Sequence, residues 1–362
     1  MSRANKDYCI AILPGDGIGP EITAATRSVL EYLDGKLALG LRFEEYEIGE
    51  ASLARNGTTL PDAVLEACRA SDGVVLGPVS HLTYPPRAQG GINPSGELRI
   101  KLDLYANIRP SRSREGLQHW GRTAMDLVIV RENTEGFYAD RNMHLGVGEF
   151  MPTPDLALSV RKITAQASRR IAQTAFELAR TRRRRVTAVH KQNVLKMTEG
   201  LFLREVREVA RQFPDVALDE QLVDSMAALL VRDAARYDVI VTTNMYGDIL
   251  SDEAAELSGS LGLAASINAG ERHCMAQAQH GSAPDIAGQD RANPASLVLS
   301  AGMLLGWLGR RHEDEGFAVA ERAIEAAIDA LLRDPATRTR DLGGTQGTRA
   351  WTEALLHSIN LS

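Results

Sequence analysis

Two aspartates past the middle of the chain, Asp248 and Asp252, have the type and spacing of metal ligands. They lie four positions apart in the segment GDILSDE, so on a helix both carboxylates would share one face. Carboxylate oxygens are the ligands that Mg²⁺ and Mn²⁺ favour, with substrate and water completing the coordination. The alternative is an acidic first turn that stabilises the helix dipole without binding an ion. Asp224, in the segment QLVDSMA, is a third carboxylate of interest.

Three arginines have positions suited to binding carboxylate groups. Arg99 and Arg109 lie on either side of Lys101–Ile108, and Arg131 follows the apolar segment Leu127–Val130. A guanidinium group binds a carboxylate through two parallel hydrogen bonds, so three of them at the ends of short elements suit a substrate with several carboxylates. Taken singly, each arginine also fits a surface salt bridge.

Two glycine-containing loops have the composition of nucleotide-binding loops. Gly15–Gly19 (GDGIG) lies between an apolar run and a helix, where glycines let phosphates approach the backbone. Its spacing differs from the G-x-G-x-x-G fingerprint, and a tight turn that requires glycine is the alternative. His280–Gly288 (HGSAPDIAG) has a histidine suited to a purine and an aspartate suited to a ribose diol. By composition alone, this second segment is simply a polar loop.

The elements that must position these residues alternate between strand and helix. Short apolar runs predict strands at Tyr8–Leu13, Gly73–Leu76, Val186–Val189 and Asp238–Thr243. Helical spacing predicts helices at Glu21–Leu33, Pro61–Ala70, Pro154–Arg180, Val194–Gln212 and Ser296–Leu308. This alternation predicts an α/β fold. Ala139–Pro154 is rich in glycine and proline, and we expect an irregular arm there that packs against a second subunit.

Length and composition indicate a globular protein of about two domains. The 362 residues are 44% hydrophobic and 24% charged, with a net charge of −6, which excludes collagen-like, coiled-coil and wholly disordered chains. No apolar stretch approaches the ~20 residues that cross a bilayer, and the polar N-terminus lacks a secretory signal. The arginine run Arg182–Arg185 is expected to be a solvated helix end. We therefore expect a cytoplasmic protein that binds neither nucleic acid nor membrane.

Eight segments, taken in order, resemble the metal-dependent β-decarboxylating dehydrogenases, that is, the NAD-dependent branch of the isocitrate/isopropylmalate dehydrogenase family. They are LPGDGIGPE, LRIKLDLYANIRP, VRENTEGFY, VHKQNVL, VDSMA, NMYGDILSDEAAELSGSLGL, HGSAPDIAG and DLGGTQGT. The resemblance runs from about Ile10 to Gly347, nearly the whole chain. It implies a two-domain α/β fold with the active site in the inter-domain cleft. Residues 1–104 plus 259–362 would form the cofactor-side domain. Residues 105–258 would form the dimerisation and metal/substrate domain, with the arm at about 139–154.

The resemblance also implies a role for each matching residue in a homodimer with shared active sites. Arg99, Arg109 and Arg131 would bind the substrate carboxylates, and Tyr138 and Lys191 would be the acid/base pair. The metal, Mg²⁺ or Mn²⁺, would be held by Asp248 and Asp252 together with Asp224 from the other subunit, which would also supply Lys191. The residues that would bind the NAD cofactor are His280, Gly281, Ser282, Ala283, Asp285, Ile286 and Asn293.

Two details of the nucleotide loop bear on the cofactor. Asp285 followed by Ile286 resembles the NAD-using members, in which the carboxylate accepts hydrogen bonds from the ribose hydroxyls and would repel the 2′-phosphate of NADP. We therefore expect NAD rather than NADP. Gln277, three residues before His280, stands where family members commonly have glutamate, which changes the contacts near the nicotinamide ribose.

The implied activity of this oxidoreductase is oxidative decarboxylation of a (2R)-malate-type 2-hydroxy acid that carries a substituent on C3. Isopropylmalate enzymes have leucines four and three residues before the arginine that matches Arg99, whereas this chain has Ser95 and Gly96, with Asn93 nearby. Small and polar residues favour a polar C3 substituent, as in isocitrate or homoisocitrate. Oxidation of 3-isopropylmalate, tartrate or D-malate is the alternative within the class. A catalytically silent regulatory subunit is the alternative of another class.

Overall fold

The computed structural model describes residues 7–138, 143 and 148–361. The strands in this part of the chain are β1 (Tyr8–Leu13), β2 (Leu41–Glu45), β3 (Gly73–Leu76), β4 (Ala106–Arg112), β5 (Asp126–Glu132), β6 (Glu149–Thr153), β7 (Leu156–Ser159), β8 (Arg185–His190), β9 (Ala217–Leu222), β10 (Val239–Thr242), β11 (Ile267–Ala269) and β12 (Cys274–Gln277). The α-helices are α1 (Gly19–Leu37), α2 (Gly49–Asn56), α3 (Asp62–Ala70), α4 (Pro94–Lys101), α5 (Ala165–Arg180), α6 (Thr198–Ala210), α7 (Val223–Asp233), α8 (Asn244–Ser258), α9 (Ala295–His312), α10 (Glu315–Arg333) and α11 (Thr348–Ser358).

Ten of these strands form one mixed sheet in the order β2-β1-β3-β12-β11-β4-β5-β10-β8-β9. Strands β2, β1, β3 and β12 run parallel to one another, and so do β5, β10, β8 and β9. Strands β11 and β4 join the two parallel blocks through antiparallel pairs. Parallel strands require crossover connections, which here are mostly helices packed on the two faces of the sheet. The predicted α/β fold is confirmed.

Each half of the sheet is covered by an apolar core on both faces. Because successive side chains alternate between faces, Ile10 and Ile12 of β1 pack with α1, α9, α10 and α11, whereas Ala11 and Leu13 pack with α3 and α4. In the other half, β5, β8 and β10 pack against α5 and α6 on one face and against α7 and α8 on the other. The predicted domain boundaries at 104/105 and 258/259 fall between these two sets of cores and stay a prediction. Within the described ranges, we find no helix with the length and apolarity needed to span a membrane.

The helix predicted over Pro154–Arg180 begins eleven residues later than expected, at Ala165. The preceding residues instead form an exposed hairpin, β6–β7, in which Pro154 lies at the turn. The hydroxyl of Thr164 accepts a hydrogen bond from the Ala167 amide at 3.2 Å and caps the start of α5. The expectation of an irregular arm is therefore wrong for 149–153, whereas 139–142 and 144–147 lie outside the described residues.

The GDGIG loop between β1 and α1 packs tightly against two neighbouring backbones. Gly15 and Gly17 have φ values of +75° and +57°, in the left-handed region that favours glycine. A Cβ on Gly15 would lie 2.2 Å from the carbonyl oxygen of Pro78, and one on Gly17 would lie 2.0 Å from that of Ser282. The same Ser282 oxygen accepts from the amide of Ile18 at 2.8 Å. The tight-turn interpretation accounts for these glycines, and the turn also anchors the loop that begins at residue 280.

Candidate active site

Arg131 lies near the end of β5. It is the most buried member of a cluster of charged side chains that α8 forms with the neighbouring strands. Its side chain is 2% exposed. Its Nε and Nη2 atoms donate to the Asn244 side-chain oxygen at 2.9 and 2.7 Å, and its Nη1 atom pairs with Asp248. A Cβ on Gly247 would lie 2.6 Å from that of Arg131, so glycine lets the helix approach the arginine closely. A guanidinium buried to this extent requires such a partner set.

Arg109, on β4, adds a second buried guanidinium to the same cluster. Its Nη1 atom donates to the hydroxyl of Ser251 at 2.7 Å and to Asp252 at 3.2 Å, and it lies 3.3 Å from Asp248. Burial lowers the pKa of Arg109, and the two aspartates oppose that effect. An arginine nevertheless stays protonated in the ordinary pH range. Two positive charges therefore face the two carboxylates of α8.

Tyr138 meets this cluster at Asp248. The tyrosine hydroxyl donates to Asp248 Oδ2 at 2.6 Å, and the Arg131 guanidinium lies 5.6 Å from the centre of the tyrosine ring. Burial by itself would raise the pKa of Asp248, but Arg131, Arg109 and the tyrosine hydrogen bond outweigh burial and lower that pKa. For Asp252, burial raises the pKa and Arg109 offsets it only in part. On acidification Asp252 is therefore the first of the two to take up a proton.

The two aspartates lie within α8, one turn apart on the same face, as the sequence predicts. The first turn of α8 contains no acidic residue, so the helix-dipole alternative does not account for them. Their side chains are 34% and 55% exposed, and both present oxygen atoms of the kind that a hard divalent cation prefers. The charge of Arg99 also helps to lower the pKa of Asp248, which indicates that α4 faces the same cluster.

On α4, two of the predicted substrate-binding residues share one partner. Arg99 and Ser95 are both buried, and both donate to the side-chain oxygen of Gln277, at 3.1 and 3.0 Å. Asn93 precedes the helix, and its side-chain oxygen accepts from the amide of Gly96 at 3.3 Å. Asn93 thus caps α4, and that cap occupies its side-chain oxygen.

Lys191 and Asp224 form a pair separate from the α8 cluster. The lysine amine lies 2.5 Å from Asp224 Oδ1, and this hydrogen bond lowers the pKa of Asp224. Neither side chain contacts Asp248 or Asp252, and across the ranges that the structure describes no three potential metal-binding side chains come together. A single chain therefore presents two of the predicted metal ligands at one place, and the third, with the predicted base, at another.

Three residues that position this chemistry are absent from the sequence-based predictions. Asn244 accepts hydrogen bonds from Arg131, and Ser251 accepts one from Arg109. Asn244 and Ser251 lie about one helical turn before and after Asp248, so a search for polar side chains at helical spacing from that aspartate would have found them. Glu199, on α6, is fully buried and accepts from the backbone amide of Lys191 at 2.8 Å. No local pattern singles out Glu199, because its partners come from other elements.

The predicted cofactor segment, 280–293, forms a loop ahead of α9, with one turn of 3₁₀ helix at Pro284–Ile286. The Gln289 side chain donates to the backbone oxygen of Asp285 at 2.8 Å and stabilises this turn. Asp285 is exposed, and among the described residues its carboxylate has no hydrogen-bond or ion-pair partner. Burial lowers the pKa of His280, so its ring is uncharged near neutral pH. An uncharged imidazole and an accessible carboxylate fit the adenine and ribose of a dinucleotide.

Other predicted cofactor residues hold the loop to the protein. The hydroxyls of Ser282 and Ser80 lie 2.8 Å apart. Asn293 donates to Asp341 at 2.9 Å and accepts from the amide of Ala295 at 2.9 Å, so the protein itself uses both ends of its amide. The remaining members differ in exposure: Gly281 is exposed, Ala283 is half-buried with a φ of 37°, and Ile286 is half-buried and packs against the core beside α1 and α9.

The family to which the chain belongs follows from a match over nearly its full length. The model of the isocitrate/isopropylmalate dehydrogenase family matches residues 9–358. The chain belongs to this family, whose members are oxidative decarboxylating dehydrogenases that act on a CH–OH group. The predicted family is confirmed.

Individual relatives match nearly the whole chain, and their names state different substrates. The chain is 42% identical to an isocitrate/homoisocitrate dehydrogenase of Thermus thermophilus, over 97% of this chain and 98% of that protein. It is 41% identical to a 3-isopropylmalate dehydrogenase of Archaeoglobus fulgidus, over 94% and 95% of the two chains. The crystal structure of isocitrate dehydrogenase from Methylococcus capsulatus superposes with a TM-score of 0.85 at 38% identity, covering 97% of this chain and 99% of that one.

Proposed function

We propose that the protein is an NAD-dependent enzyme that requires Mg²⁺ or Mn²⁺ and oxidatively decarboxylates a (2R)-malate-type 2-hydroxy acid with a polar C3 substituent, of the isocitrate or homoisocitrate kind. The observation that supports this most strongly is the convergence of the buried Arg109 and Arg131 on Asp248, with Tyr138 bonded to the same carboxylate. Arginines of this kind bind carboxylates, and the aspartate oxygens suit a hard cation.

Substrate binding is the role of the arginines. Arg131 and Arg109 are already fixed by Asn244 and Ser251, and Arg99 is fixed by Gln277. Because these side chains are ordered before the substrate arrives, little rotamer entropy is lost when a carboxylate binds them. The carboxylates of the substrate would then be held in one orientation, with C2 and its hydroxyl towards α8.

Asp248 and Asp252, with Asp224 of the partner subunit, would hold the metal ion. The donor set fits a hard divalent cation, because every donor is a carboxylate oxygen and both α8 side chains are accessible. When bound, the cation supplies positive charge that lowers the pKa of the substrate hydroxyl and stabilises negative charge that develops on that oxygen. Asp248 suits this role because the neighbouring arginines keep its carboxylate ionised.

Lys191 and Tyr138 would carry out the proton transfers. Lys191 of the partner subunit would accept the proton of the 2-hydroxyl during oxidation at C2, for which a bound NAD would supply the hydride acceptor, and Tyr138 would protonate C3 after the loss of CO₂. The Lys191 amine lies 2.5 Å from Asp224 Oδ1, so the proposed base and the third proposed metal ligand would enter a shared site together.

A homodimer is part of this proposal, because Asp224 and Lys191 lie apart from the α8 cluster in a single chain. Apolar side chains are exposed beside both groups. Val194 and Met197, just after Lys191, are 65% and 87% exposed, and Ile249, next to Asp248, is 59% exposed. Exposed apolar surface of this kind marks a protein interface. A second copy seated here would cover these residues and bring Lys191 and Asp224 to the other chain's cluster.

The polar C3 substituent is supported by the residues at the start of α4. Ser95 and Gly96 are small and buried there, so an isopropyl group would gain little apolar burial in this part of the site. The name of the Thermus thermophilus relative agrees with this preference, whereas that of the Archaeoglobus fulgidus relative supports 3-isopropylmalate as the alternative. The exposed Asp285 carboxylate supports NAD over NADP for the charge reason given above.

The direct test is NADH formation with Mn²⁺ across isocitrate, homoisocitrate, 3-isopropylmalate, D-malate and tartrate. Parallel reactions contain a chelator, or NADP in place of NAD. We expect turnover that depends on the metal and on NAD, with isocitrate or homoisocitrate as the preferred acid. Preference for 3-isopropylmalate would establish the alternative substrate. A flat response to every acid would overturn the proposal and favour the silent regulatory subunit, although Tyr138, Lys191 and all three aspartates are present in the chain.

A further inference from the structure

Asn244, the first residue of α8, is fully buried and uses both ends of its side-chain amide. Its Oδ1 atom accepts from Nε and Nη2 of Arg131 at 2.9 and 2.7 Å, and its Nδ2 atom donates to the backbone carbonyl of Glu135 at 2.9 Å. A guanidinium group only donates and a carbonyl only accepts, so neither end of the amide could replace the other. The side chain of Asn244 therefore has one orientation, which joins Arg131 to the segment that follows β5.

The Glu135 carbonyl belongs to that segment, residues 135–138, which ends in Tyr138. Gly136 has a φ of +95° and exchanges two backbone hydrogen bonds with Lys162, at 2.9 and 3.2 Å. The Glu135 carboxylate accepts from the amide and the hydroxyl of Thr164, at 2.8 and 3.1 Å. These contacts fix the segment to the residues just before α5, and the Asn244 amide fixes its backbone to α8.

The Tyr138 hydroxyl has a contact with the same helix, but this contact cannot persist through the proposed reaction. The hydroxyl donates to Asp248, four residues after Asn244, at 2.6 Å. To give its proton to C3 of a substrate, the hydroxyl has to leave Asp248. The hydrogen bond from Asn244 to the Glu135 carbonyl does not involve the hydroxyl, so it can hold the backbone of the segment in place during that step.

We propose that Asn244 is a positioning residue that keeps Tyr138, the proposed proton donor, at a fixed distance from Arg131. Its nitrogen holds the backbone that carries the phenol, and its oxygen holds the guanidinium that would bind a substrate carboxylate. In the proton transfer the phenol O–H bond breaks, a C3–H bond forms with the electron pair left by CO₂, and solvent returns a proton to the phenolate. Such a transfer requires close alignment of donor and acceptor. This inference rests on the proposed function and adds a residue to its last step.

The test combines Asn244→Asp with Tyr138→Phe. An ionised aspartate keeps an oxygen acceptor for Arg131 but cannot donate to the Glu135 carbonyl. With saturating acid, NAD and Mn²⁺, we expect Asn244→Asp to lower kcat by about 10–10²-fold in the otherwise wild-type protein. In the Tyr138→Phe protein the same change should cost less than about threefold, because the phenol that Asn244 positions is then absent. Equal losses in the two backgrounds would overturn the inference.

A solvent isotope effect separates a slower proton transfer from a general loss of folded enzyme, which lowers the rates in H₂O and D₂O alike. We expect the ratio of kcat in H₂O to kcat in D₂O to rise in Asn244→Asp and in Asn244→Ser, which removes the amide without adding a charge. Ser251→Ala is the control on the same helix. In the described part of the chain its hydroxyl bonds to Arg109 and to the Asp248 carbonyl rather than to residues 135–138, so the ratio should stay at the wild-type value. An unchanged ratio in either Asn244 variant would contradict the inference.

Hydrogen exchange separates failure of this inference from failure of the proposed function. If the wild type oxidises none of the acids, the proposed activity is wrong, and the anchoring of the segment is then measured without turnover. The Gly136 amide donates to the Lys162 carbonyl at 2.9 Å. We expect this amide to exchange about fivefold faster or more in Asn244→Asp, the factor that corresponds to one lost hydrogen bond, and at the wild-type rate in Ser251→Ala. Equal exchange in Asn244→Asp and the wild type would show that Asn244 does not anchor the segment.

Discussion

Replacing Glu199 by alanine should destabilise the protein and displace Lys191. The Glu199 side chain is 0% exposed and pairs with Arg161, which is 7% exposed. Removing one member of a buried ion pair costs about 3–5 kcal/mol, because the other charge stays buried without its partner. Arg161 keeps its hydrogen bonds to Thr198 and Thr243, at 3.2 and 3.0 Å, which favours the lower end of that range. The Lys191 amide also loses its acceptor, at about 1 kcal/mol.

The total is about 4 kcal/mol, which at roughly 2 °C per kcal/mol for a chain of this size lowers Tm by about 8 °C. Thermal unfolding followed by circular dichroism measures this. Glu208→Ala is the matched control on the same helix, because Glu208 and its partner Arg211 are 56% and 76% exposed, and an exposed pair contributes less than about 1 kcal/mol. Equal Tm shifts in the two variants would refute the reasoning.

Turnover gives a second measure of the same contact. Glu199→Gln retains an oxygen acceptor for the Lys191 amide and loses only the charge that pairs with Arg161. We expect this variant to be destabilised but to keep more of its kcat than Glu199→Ala at a temperature where both are folded. Equal kcat in the two variants would show that the hydrogen bond to Lys191 does not position the base.

Three further predictions concern the acid/base residue, the cofactor and pH. Lys191→Ala should lower kcat by about 10²–10⁴-fold while the NAD dissociation constant, measured by fluorescence, changes by less than about twofold; unchanged turnover would remove the acid/base assignment. Asp285→Lys should weaken the use of NAD and allow some use of NADP, and initial rates with no NADP turnover at all would count against Asp285 as the ribose ligand. Burial raises the pKa of the Glu321 carboxyl group to about 7 from 4.5. The free energy of unfolding of the wild type should therefore fall as the pH rises through about 7, because the buried carboxyl group then becomes charged. Urea unfolding of Glu321→Gln should therefore match the wild type near about pH 4 and exceed it by about 3 kcal/mol near about pH 8, and a difference independent of pH would contradict this.

The central strands and the paired aspartates could be predicted from the sequence because their signals are local. Strands β1 and β3 have the predicted bounds, since a strand buried on both faces is a continuous apolar run between turn residues. The spacing of Asp248 and Asp252 fixes their shared face once the segment is helical. In both cases a few neighbouring residues carry the whole signal.

The features that were missed depend on contacts distant in the sequence. The helix expected from Pro154 is a hairpin up to Ser159, and all residues of its two strands are exposed in the single chain. Nothing in its local pattern distinguishes such a hairpin from the amphipathic helix that follows. Glu199 acts through a partner on another element, Arg161, so its role becomes visible only when the fold brings the two elements together.

The central claim is that each active site draws on two chains, and complementation between two inactive variants tests it most directly. Lys191→Ala removes the proposed base from one half-site, and Asp248→Asn removes a proposed metal ligand from the other. If the variants are co-expressed and assort at random, about half of the dimers are mixed, and each mixed dimer contains one intact site out of two. The account therefore predicts recovery of about one quarter of the wild-type activity.

The control combines Lys191→Ala with Asp224→Asn. These residues contact each other within one chain, so both changes affect the same half-site and every site in a mixed dimer contains one of them. This pair should recover no activity. NADH formation with Mn²⁺ and the preferred acid is measured for both mixtures and for each variant alone. Recovery of about a quarter in the first mixture only would agree with a shared site, and no recovery in either mixture would contradict it.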